Sequence, residues 1–273
     1  MDSIARRMFE LVEPIGAIPY SAEEPNEAMF ALGFTNYWDT YFAGRAAPLG
    51  MAPAEVVDAL FFNFAPGEVA RHIPKVWRTT TPEAALAARR AGCMKAMRRI
   101  LGDHVEGPDL ARAAGLLAKA ATSAPTEGRP MYAALRALPM PEEAVGRLFH
   151  AASLLREYRG DGHIAALMVE GVGRLESHVL YALDSGTPAE RFGRVHHLPA
   201  AQLLAVIDGL RDRGLVGADG WLTAEGRALR RRVEDLTDAL ASKPYESLAE
   251  AELEELMAAL EPLAASLLAA QDW

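Results

Sequence analysis

Apolar residues recur at helical spacing along most of the chain. In the first segment Ile4, Met8, Leu11 and Val12 fall on one face, and the pattern predicts a helix that ends at Pro14. Runs of β-branched residues are rare, which favours helix over sheet. The same spacing predicts further helices at 26–32, 37–44, 53–64, 66–73, 82–101, 108–121, 142–157, 163–183, 199–213, 224–241 and 249–269. The chain is therefore expected to be mainly α-helical.

Two glycine-containing stretches interrupt this pattern. The stretch RGDG (159–162) predicts a break or bend, because two glycines within four residues destabilise a helix. The stretch SAPTEGRP (123–130) predicts a loop and a boundary between domains. The expected organisation is a helical domain at 1–123 and a second domain at 130–273.

The segment from about Glu176 to Tyr245 has a distinctive order of elements. A helix with one apolar face is ended by Gly214, and LVGADGWLT (215–223) then predicts a strand, a tight turn and a second strand. Thr223 is a suitable cap for the long helix that follows. This order predicts a winged-helix unit with a small β-wing.

The same segment resembles the winged-helix core of MarR-type regulators over about 75 to 90 residues. In that group a recognition helix leads to an "RGLV" motif, a wing and an "LT.EGR" motif that opens a long helix. The matching residues are Leu210, Arg213, Gly214, Leu215, Val216, Leu222, Thr223, Glu225, Gly226 and Arg227. The resemblance implies a regulator fold.

The whole chain also resembles an actinobacterial family of helix-turn-helix-like proteins, from which no established activity carries over. The resemblance rests on RRMFELVEPI (6–15), YFAGRAAPLG (41–50), FFNFAP (61–66) and LLREYRGDGHIAAL (154–167). Residues 53–60 weakly repeat the pattern of 199–210. The N-terminal half is therefore a candidate for a degenerate second winged helix, and the protein is either a monomeric pseudo-dimer or a homodimer.

Composition and charge narrow the class of protein. Hydrophobic residues make up 51% of the chain, which is enough for a buried core. No apolar run approaches the roughly 20 residues that span a bilayer. The lone cysteine, Cys93, lies in a helical run and is expected in the core, although a reactive thiol is an alternative. We predict a cytoplasmic protein with no membrane partner.

The charge pattern argues against strong DNA binding. Net charge is −9, and residues 176–246 carry nine basic against eleven acidic side chains. On the predicted recognition helix, the candidate DNA contacts are Gln202, Arg211 and Arg213, and the wing tip is acidic at Asp219. His196 and His197 precede that helix and are further candidates for phosphate contact. The cluster Arg230–Arg232 is the most cationic feature of this segment. Its structural alternative is a solvated helix face whose arginines pair with nearby acidic residues.

Chemically versatile side chains concentrate in one stretch, residues 150–171. Arginines there can clamp a carboxylate or phosphate, and Asp161 is placed to orient His163 by accepting its second ring N–H. Three uses remain open: a structural ion-pair network, a ligand site, or acid–base catalysis by Asp161 and His163. No metal site is predicted, because standard ligand spacing is missing. The candidate binding residues are Arg156, Glu157, Arg159, Asp161 and His163.

Aromatic residues concentrate in the N-terminal half, between positions 37 and 64. Trp38 lies among them, and Arg45 and Asn63 supply polar groups. Such a mixture is typical of a small-molecule pocket, although core packing is a common alternative. A haem would need a lone histidine such as His72 or His163, but no CxxCH motif supports one. The cofactor therefore remains unknown.

These observations favour a winged-helix protein that binds a small molecule and has weak or lost DNA binding. One alternative is a MarR-like, ligand-responsive transcriptional regulator. A second alternative is an enzyme on a repurposed winged-helix fold that uses Asp161 and His163. The sequence contains no glycine-rich phosphate loop and no nucleophile elbow. No motif therefore supports a common hydrolase, kinase or dehydrogenase.

Overall fold

The computed structural model describes residues 3–105, 107–192 and 198–270. Within these ranges thirteen α-helices account for most residues, which confirms a mainly helical protein. Their bounds are α1 Ile4–Gly16, α2 Ile18–Ser21, α3 Glu23–Phe30, α4 Tyr37–Ala46, α5 Ala54–Phe61, α6 Pro82–Leu101, α7 Pro108–Ser123, α8 Pro130–Arg136, α9 Ala144–Val169, α10 Arg174–Asp184, α11 Ala200–Asp212, α12 Ala224–Ala241 and α13 Glu250–Ala269.

Side-chain caps fix the starts of several helices. The hydroxyl of Thr81 accepts a hydrogen bond from the N–H of Ala84 at 3.2 Å and opens α6. Thr223 accepts from the N–H of Gly226 at 3.0 Å and opens α12. Both caps match the prediction, because a cap depends on neighbours along the chain.

Helix α1 and the segment after Pro66 differ from the prediction. Helix α1 continues through Pro14 to Gly16. A proline near the carboxyl end of a helix removes only one backbone hydrogen bond, and the extension buries Ile15 completely in the core. After Pro66 the expected helix is reduced to a 3-10 turn at Val69–Arg71.

The predicted break at residues 159–162 is wrong, because α9 runs unbroken through both glycines. A Cβ atom at Gly162 would lie 2.2 Å from Nη1 of Arg129. The glycine therefore allows Arg129 to pass close to the helix, where it donates to the carbonyl of Tyr158 at 2.9 Å. Tertiary packing outweighs the low helix propensity of glycine here.

Helix α9 lies at the centre of the molecule and packs against α1, α7, α8 and α12. The largest core cluster joins α1, α6, α7, α8, α9 and α13, and Cys93 is fully buried in it. Burial raises the pKa of the Cys93 thiol to about 12, which favours the core interpretation over a reactive thiol. This cluster takes residues from both sides of the loop that precedes Pro130. The division into 1–123 and 130–273 stays a prediction.

Two smaller core clusters flank the central one. One is built from α4, α5 and the turns after them, and it includes Phe42, Phe61 and Phe64. The other is built from α10, α11, α12 and the end of α9. The proposed duplication of the C-terminal unit in the N-terminal half stays a prediction.

The two strands expected between α11 and α12 do not form among the described residues. One antiparallel bridge joins Val216 to Leu222, and the N–H of Gly217 donates to the carbonyl of Trp221 at 2.8 Å. Gly220 has a φ of 84° and closes the turn. The segment is short and is followed at once by the cap of α12, so no length remains for a β-wing.

In the described part of the chain, none of the helices has the length and apolar character that crossing a bilayer requires. The cytoplasmic location stays a prediction.

Candidate functional site

A cavity of about 830 Å³ lies between helices that belong to the three core clusters. Helices α1, α2, α4, α5, α9, α10 and α12 contribute to its wall. All eight residues that the sequence suggested for ligand binding line this one cavity: Trp38, Arg45, Asn63, Arg156, Glu157, Arg159, Asp161 and His163. The structure therefore brings together two groups of candidates that are about a hundred positions apart in sequence.

Helix α9 forms one long wall of the cavity. Arg156, Arg159, Gly160 and His163 follow a spacing of three or four residues and so project from one side of the helix. With a rise of about 1.5 Å per residue, this row is about 10 Å long. It links a polar cluster at one end of the cavity to a second one at the other end.

The first polar cluster surrounds Glu157. Its carboxylate lies 3.5 Å from Nη2 of Arg45 and 3.5 Å from Nη1 of Arg156, whose Nε also donates to Glu13 at 3.0 Å. Burial alone would raise the pKa of Glu157, but the two guanidinium groups outweigh it and hold that pKa below its usual value. Glu157 is therefore an ionised, buried carboxylate between two cations.

The second polar cluster joins α1, α9 and α12. Arg159 donates to Asp238 at 2.6 Å and to Glu234 at 3.2 Å, and Arg6 contacts the same two carboxylates at 3.1 and 2.7 Å. The ring of Phe9 lies 4.4 Å from the Arg159 guanidinium carbon. Shared carboxylates and the aromatic face hold both arginines in place.

His163 extends from α9 towards α12. Its Nδ1 lies 3.0 Å from the hydroxyl of Thr237, and that hydroxyl donates its own proton to the carbonyl of Val233 at 2.7 Å. The hydroxyl must therefore accept from the Nδ1–H of the histidine. Burial, with help from nearby arginines, lowers the pKa of His163. A neutral ring with its proton on Nδ1 leaves Nε2 as a hydrogen-bond acceptor.

Asp161 does not orient His163, which corrects the expected acid–base pair. Its carboxylate instead accepts from the N–H groups of Tyr132 at 3.0 Å and Met131 at 3.4 Å, at the start of α8. Residues two apart in a helix point to different sides, so the two side chains have different neighbours. Burial raises the pKa of Asp161 to about 6, and Glu157 adds to the effect.

The aromatic side of the cavity comes from α4, α5 and the turn after α5. The ring of Phe61 lies 4.3 Å from the guanidinium carbon of Arg45, and Trp38 packs edge-on to Tyr41 at 5.6 Å. Phe62 has a φ of 55°, and the N–H of Asn63 donates to the carbonyl of Phe61 at 2.6 Å. This strained γ-turn reverses the chain and places Phe61 and Asn63 on the cavity wall.

Sequence reasoning missed the contributions of α1, α10 and α12 to this cavity. Arg6, Phe9 and Glu13 lie on one face of α1, opposite its apolar face, and this spacing was visible in the sequence. Tyr181 and Arg230 come from the C-terminal unit, and nothing in the local pattern links them to residue 45. The packing of α12 on α9, and of α10 on α12, brings them there.

His72, one of the two histidines considered for a haem, is outside this cavity wall. Its Nδ1 lies 2.7 Å from Asp39, and its ring stacks on Phe42 with centroids 4.6 Å apart. Lys75 also contacts Asp39, at 2.8 Å. Across the described residues there is no cluster of three or more side chains suited to hold a metal ion.

The candidate DNA contacts on and after α11 are paired with acidic side chains. Arg211 donates to Asp208 at 2.8 Å, and Arg213 donates to Glu176 at 2.9 Å. Gln202 is half-buried on the first turn of α11. His196 and His197 lie outside the described residues. Exposed ion pairs of this kind contribute little to stability. The acidic partners nevertheless reduce the positive potential of the surface around Arg211 and Arg213.

The comparisons with known proteins give one family match and no individual relative. No curated protein and no solved structure matches the chain. A family model described as the Helix-turn-helix family matches residues 5–273. Because this match covers nearly the whole sequence, the chain belongs to that helix-turn-helix family.

Proposed function

We propose that this helix-turn-helix protein binds a small organic molecule in the cavity between α1, α4, α5, α9 and α12. The observation that carries the proposal is the convergence of aromatic rings with buried, fixed polar groups around about 830 Å³. Concave sites of this size, apolar with a few placed polar groups, are the usual form of a ligand site. The polar groups here are held by ion pairs, so they are pre-organised.

A screen of uncharged and charged aromatic compounds by thermal shift tests this proposal. A compound present at about 100 times its Kd stabilises the folded state by about 2.7 kcal/mol, which is measurable as a rise in Tm. Gly160→Leu is the matched control, because a Cβ at Gly160 meets only one atom within 4 Å, Oε2 of Glu157 at 3.8 Å. The larger side chain extends into the cavity from a helix that tolerates it.

We expect the screen to identify compounds that raise the Tm of the wild type and leave the Tm of the Gly160→Leu variant unchanged. Equal stabilisation of both proteins would place the binding elsewhere and contradict the proposal. Circular dichroism of the variant confirms that its helices are intact.

A second candidate function is a ligand-responsive regulator, and one observation favours it. Arg230 of α12 lines the cavity and lies 3.5 Å from Asp184 of α10, and these two helices form the unit that carries α11. A molecule in the cavity contacts α12 and can therefore change the position of α11.

Duplex binding separates the two candidates. Because Arg211 of α11 and Arg213 after it are paired with acids, we expect weak binding to random duplex DNA at about 50 mM salt and none at about 150 mM. Tight binding that survives the higher salt, and that Arg211→Gln with Arg213→Gln abolishes, would favour the regulator. The measurement is fluorescence anisotropy of a labelled duplex.

A further inference from the structure

The charges on the cavity wall compensate one another. Each of the five arginines that line it contacts at least one carboxylate within 3.5 Å: Arg6, Arg45, Arg156, Arg159 and Arg230. The acidic lining residues are Glu13, Glu157, Asp161, Asp184 and Glu234. Four of these pair with the arginines, and Asp161 accepts from two backbone N–H groups.

This balance bears on the charge of the ligand. Because each lining arginine already contacts a carboxylate, an anion would compete with that carboxylate for the guanidinium, and a cation would compete with an arginine for a carboxylate. Either event leaves a buried charge uncompensated, which is strongly unfavourable. An uncharged molecule enters without disturbing the pairs.

The shape and surface of the wall indicate flat, apolar groups. Phe9, Trp38 and Phe61 present rings to the cavity, and Ile164 adds an aliphatic surface. At Gly160 the wall is bare backbone, so α9 offers a smooth strip against which a ring can lie. Aromatic rings pack well on such surfaces.

His163 offers a hydrogen-bond acceptor on the cavity wall. Nδ1 of His163 is committed to Thr237, and no described residue donates to Nε2. Since the ring lines the cavity and is neutral, its Nε2 lone pair fits a hydroxyl or N–H group of a bound molecule. A polar group that is left unpaired on binding would cost affinity, so the ligand is expected to supply this donor.

We infer that the cavity takes an uncharged, mainly aromatic molecule that donates a hydrogen bond to Nε2 of His163. This inference rests on the proposed ligand-binding function of the same cavity and names the class of ligand.

The test uses two probes that share one ring system and differ in charge. N-phenylnaphthylamine is neutral, and anilinonaphthalenesulfonate carries an added sulfonate; both contain the N–H that can donate to His163. Fluorescence titration of the full-length protein at neutral pH is expected to give a Kd at least about tenfold lower for the neutral probe, and Gly160→Leu is expected to abolish the signal of both.

His163 is tested with two variants of similar size. His163→Gln keeps an acceptor, whereas His163→Leu removes it. We expect His163→Leu to weaken binding of the neutral probe by about threefold to tenfold, as for the loss of one hydrogen bond, and His163→Gln to restore most of the affinity. Equal affinities of the two variants would overturn the role given to Nε2.

Failure of the inference and failure of the proposed function are distinguishable. If the sulfonated probe binds as tightly as the neutral one, or more tightly, and Gly160→Leu abolishes that binding, the cavity is a ligand site that does not select uncharged molecules, and the inference is overturned. If Gly160→Leu leaves the binding of both probes unchanged, the probes bind elsewhere and the proposed function itself is overturned.

Discussion

Two glycines on the same turn of α9 face different surroundings. On one side Gly160 faces an open cavity, where the nearest atom to a Cβ would be Oε2 of Glu157 at 3.8 Å. On the other side Gly162 faces the buried guanidinium of Arg129, where a Cβ would lie 2.2 Å from Nη1. One glycine makes room for solvent or a ligand, and the other makes room for a neighbouring side chain.

This difference shows why the sequence alone does not reveal the role of a glycine within a helix. Its cost to helix stability is the same at both positions, about 0.5 to 1 kcal/mol relative to alanine. What the missing side chain allows is different at the two positions. At Gly162 it allows Arg129 to pack closely against α9 and to donate hydrogen bonds to the carbonyls of Tyr158 and Leu240. At Gly160 the missing side chain leaves the cavity open.

The largest expected effect concerns Arg159, on the cavity side. Arg159→Met keeps the length of the side chain but leaves Asp238 and Glu234 with fewer cations, in a partly buried setting. We expect the free energy of unfolding to fall by about 2–4 kcal/mol. Urea denaturation followed by circular dichroism measures the change.

Arg213→Met is the matched control, because Arg213 pairs with Glu176 at the surface. Its expected effect is below about 1 kcal/mol. Similar losses in the two variants would mean that the cavity side of α9 has no structural role beyond that of a surface ion pair.

The next effect compares the two glycines directly. Gly162→Ala forces Arg129 away from the carbonyls of Tyr158 and Leu240, and we expect a loss of about 1–3 kcal/mol in the free energy of unfolding. Gly160→Ala is expected to stabilise the protein by about 0.5–1 kcal/mol, because alanine favours helix and the space is open.

Thermal denaturation of both variants shows the difference as shifts in Tm of opposite sign. Two losses of equal size would contradict the distinction between an open and a packed side.

The remaining prediction concerns pH and Asp161, whose carboxylate joins α9 to the start of α8. Burial raises its pKa to about 6 in the folded state. The folded protein therefore binds this proton more tightly than the unfolded chain does, and the resulting stability is present below about pH 4 and is lost as pH rises through 6. The stability of the wild type relative to Asp161→Asn should fall by about 1–3 kcal/mol between these pH values.

Urea denaturation of both proteins across this pH range measures the difference and cancels the contribution of other titrating groups. A difference that stays constant with pH would show that Asp161 has an ordinary pKa and is well solvated.

Local sequence signals predicted the starts and types of many elements. The caps at Thr81 and Thr223 and the end of α11 near Gly214 depend on residues close in the chain, and all three are confirmed. The prediction of two strands around Gly220 was wrong, because alternation and turn residues do not reveal that the segment is too short to form more than one antiparallel bridge.

The candidate residues of the cavity were partly visible as well. Aromatic residues near Trp38 and charged residues near Arg159 stood out by composition, but they were two separate groups. The expected contact between Asp161 and His163 was wrong, since the turn of a helix separates neighbours two apart. Arg6 and Arg230 were missed because their importance comes from contacts with distant helices.

By itself the sequence determined a mainly helical chain, its caps and the chemistry available to it, because these depend on spacing and on residue type. Tertiary structure alone decided that α9 is unbroken, that the Asp161 carboxylate accepts hydrogen bonds from the start of α8 and that His163 donates to Thr237. It also decided that residues from 6 to 234 surround one cavity. The physical reason is that burial and close approach are set by partners far along the chain, and they outweigh local propensities of about 1 kcal/mol.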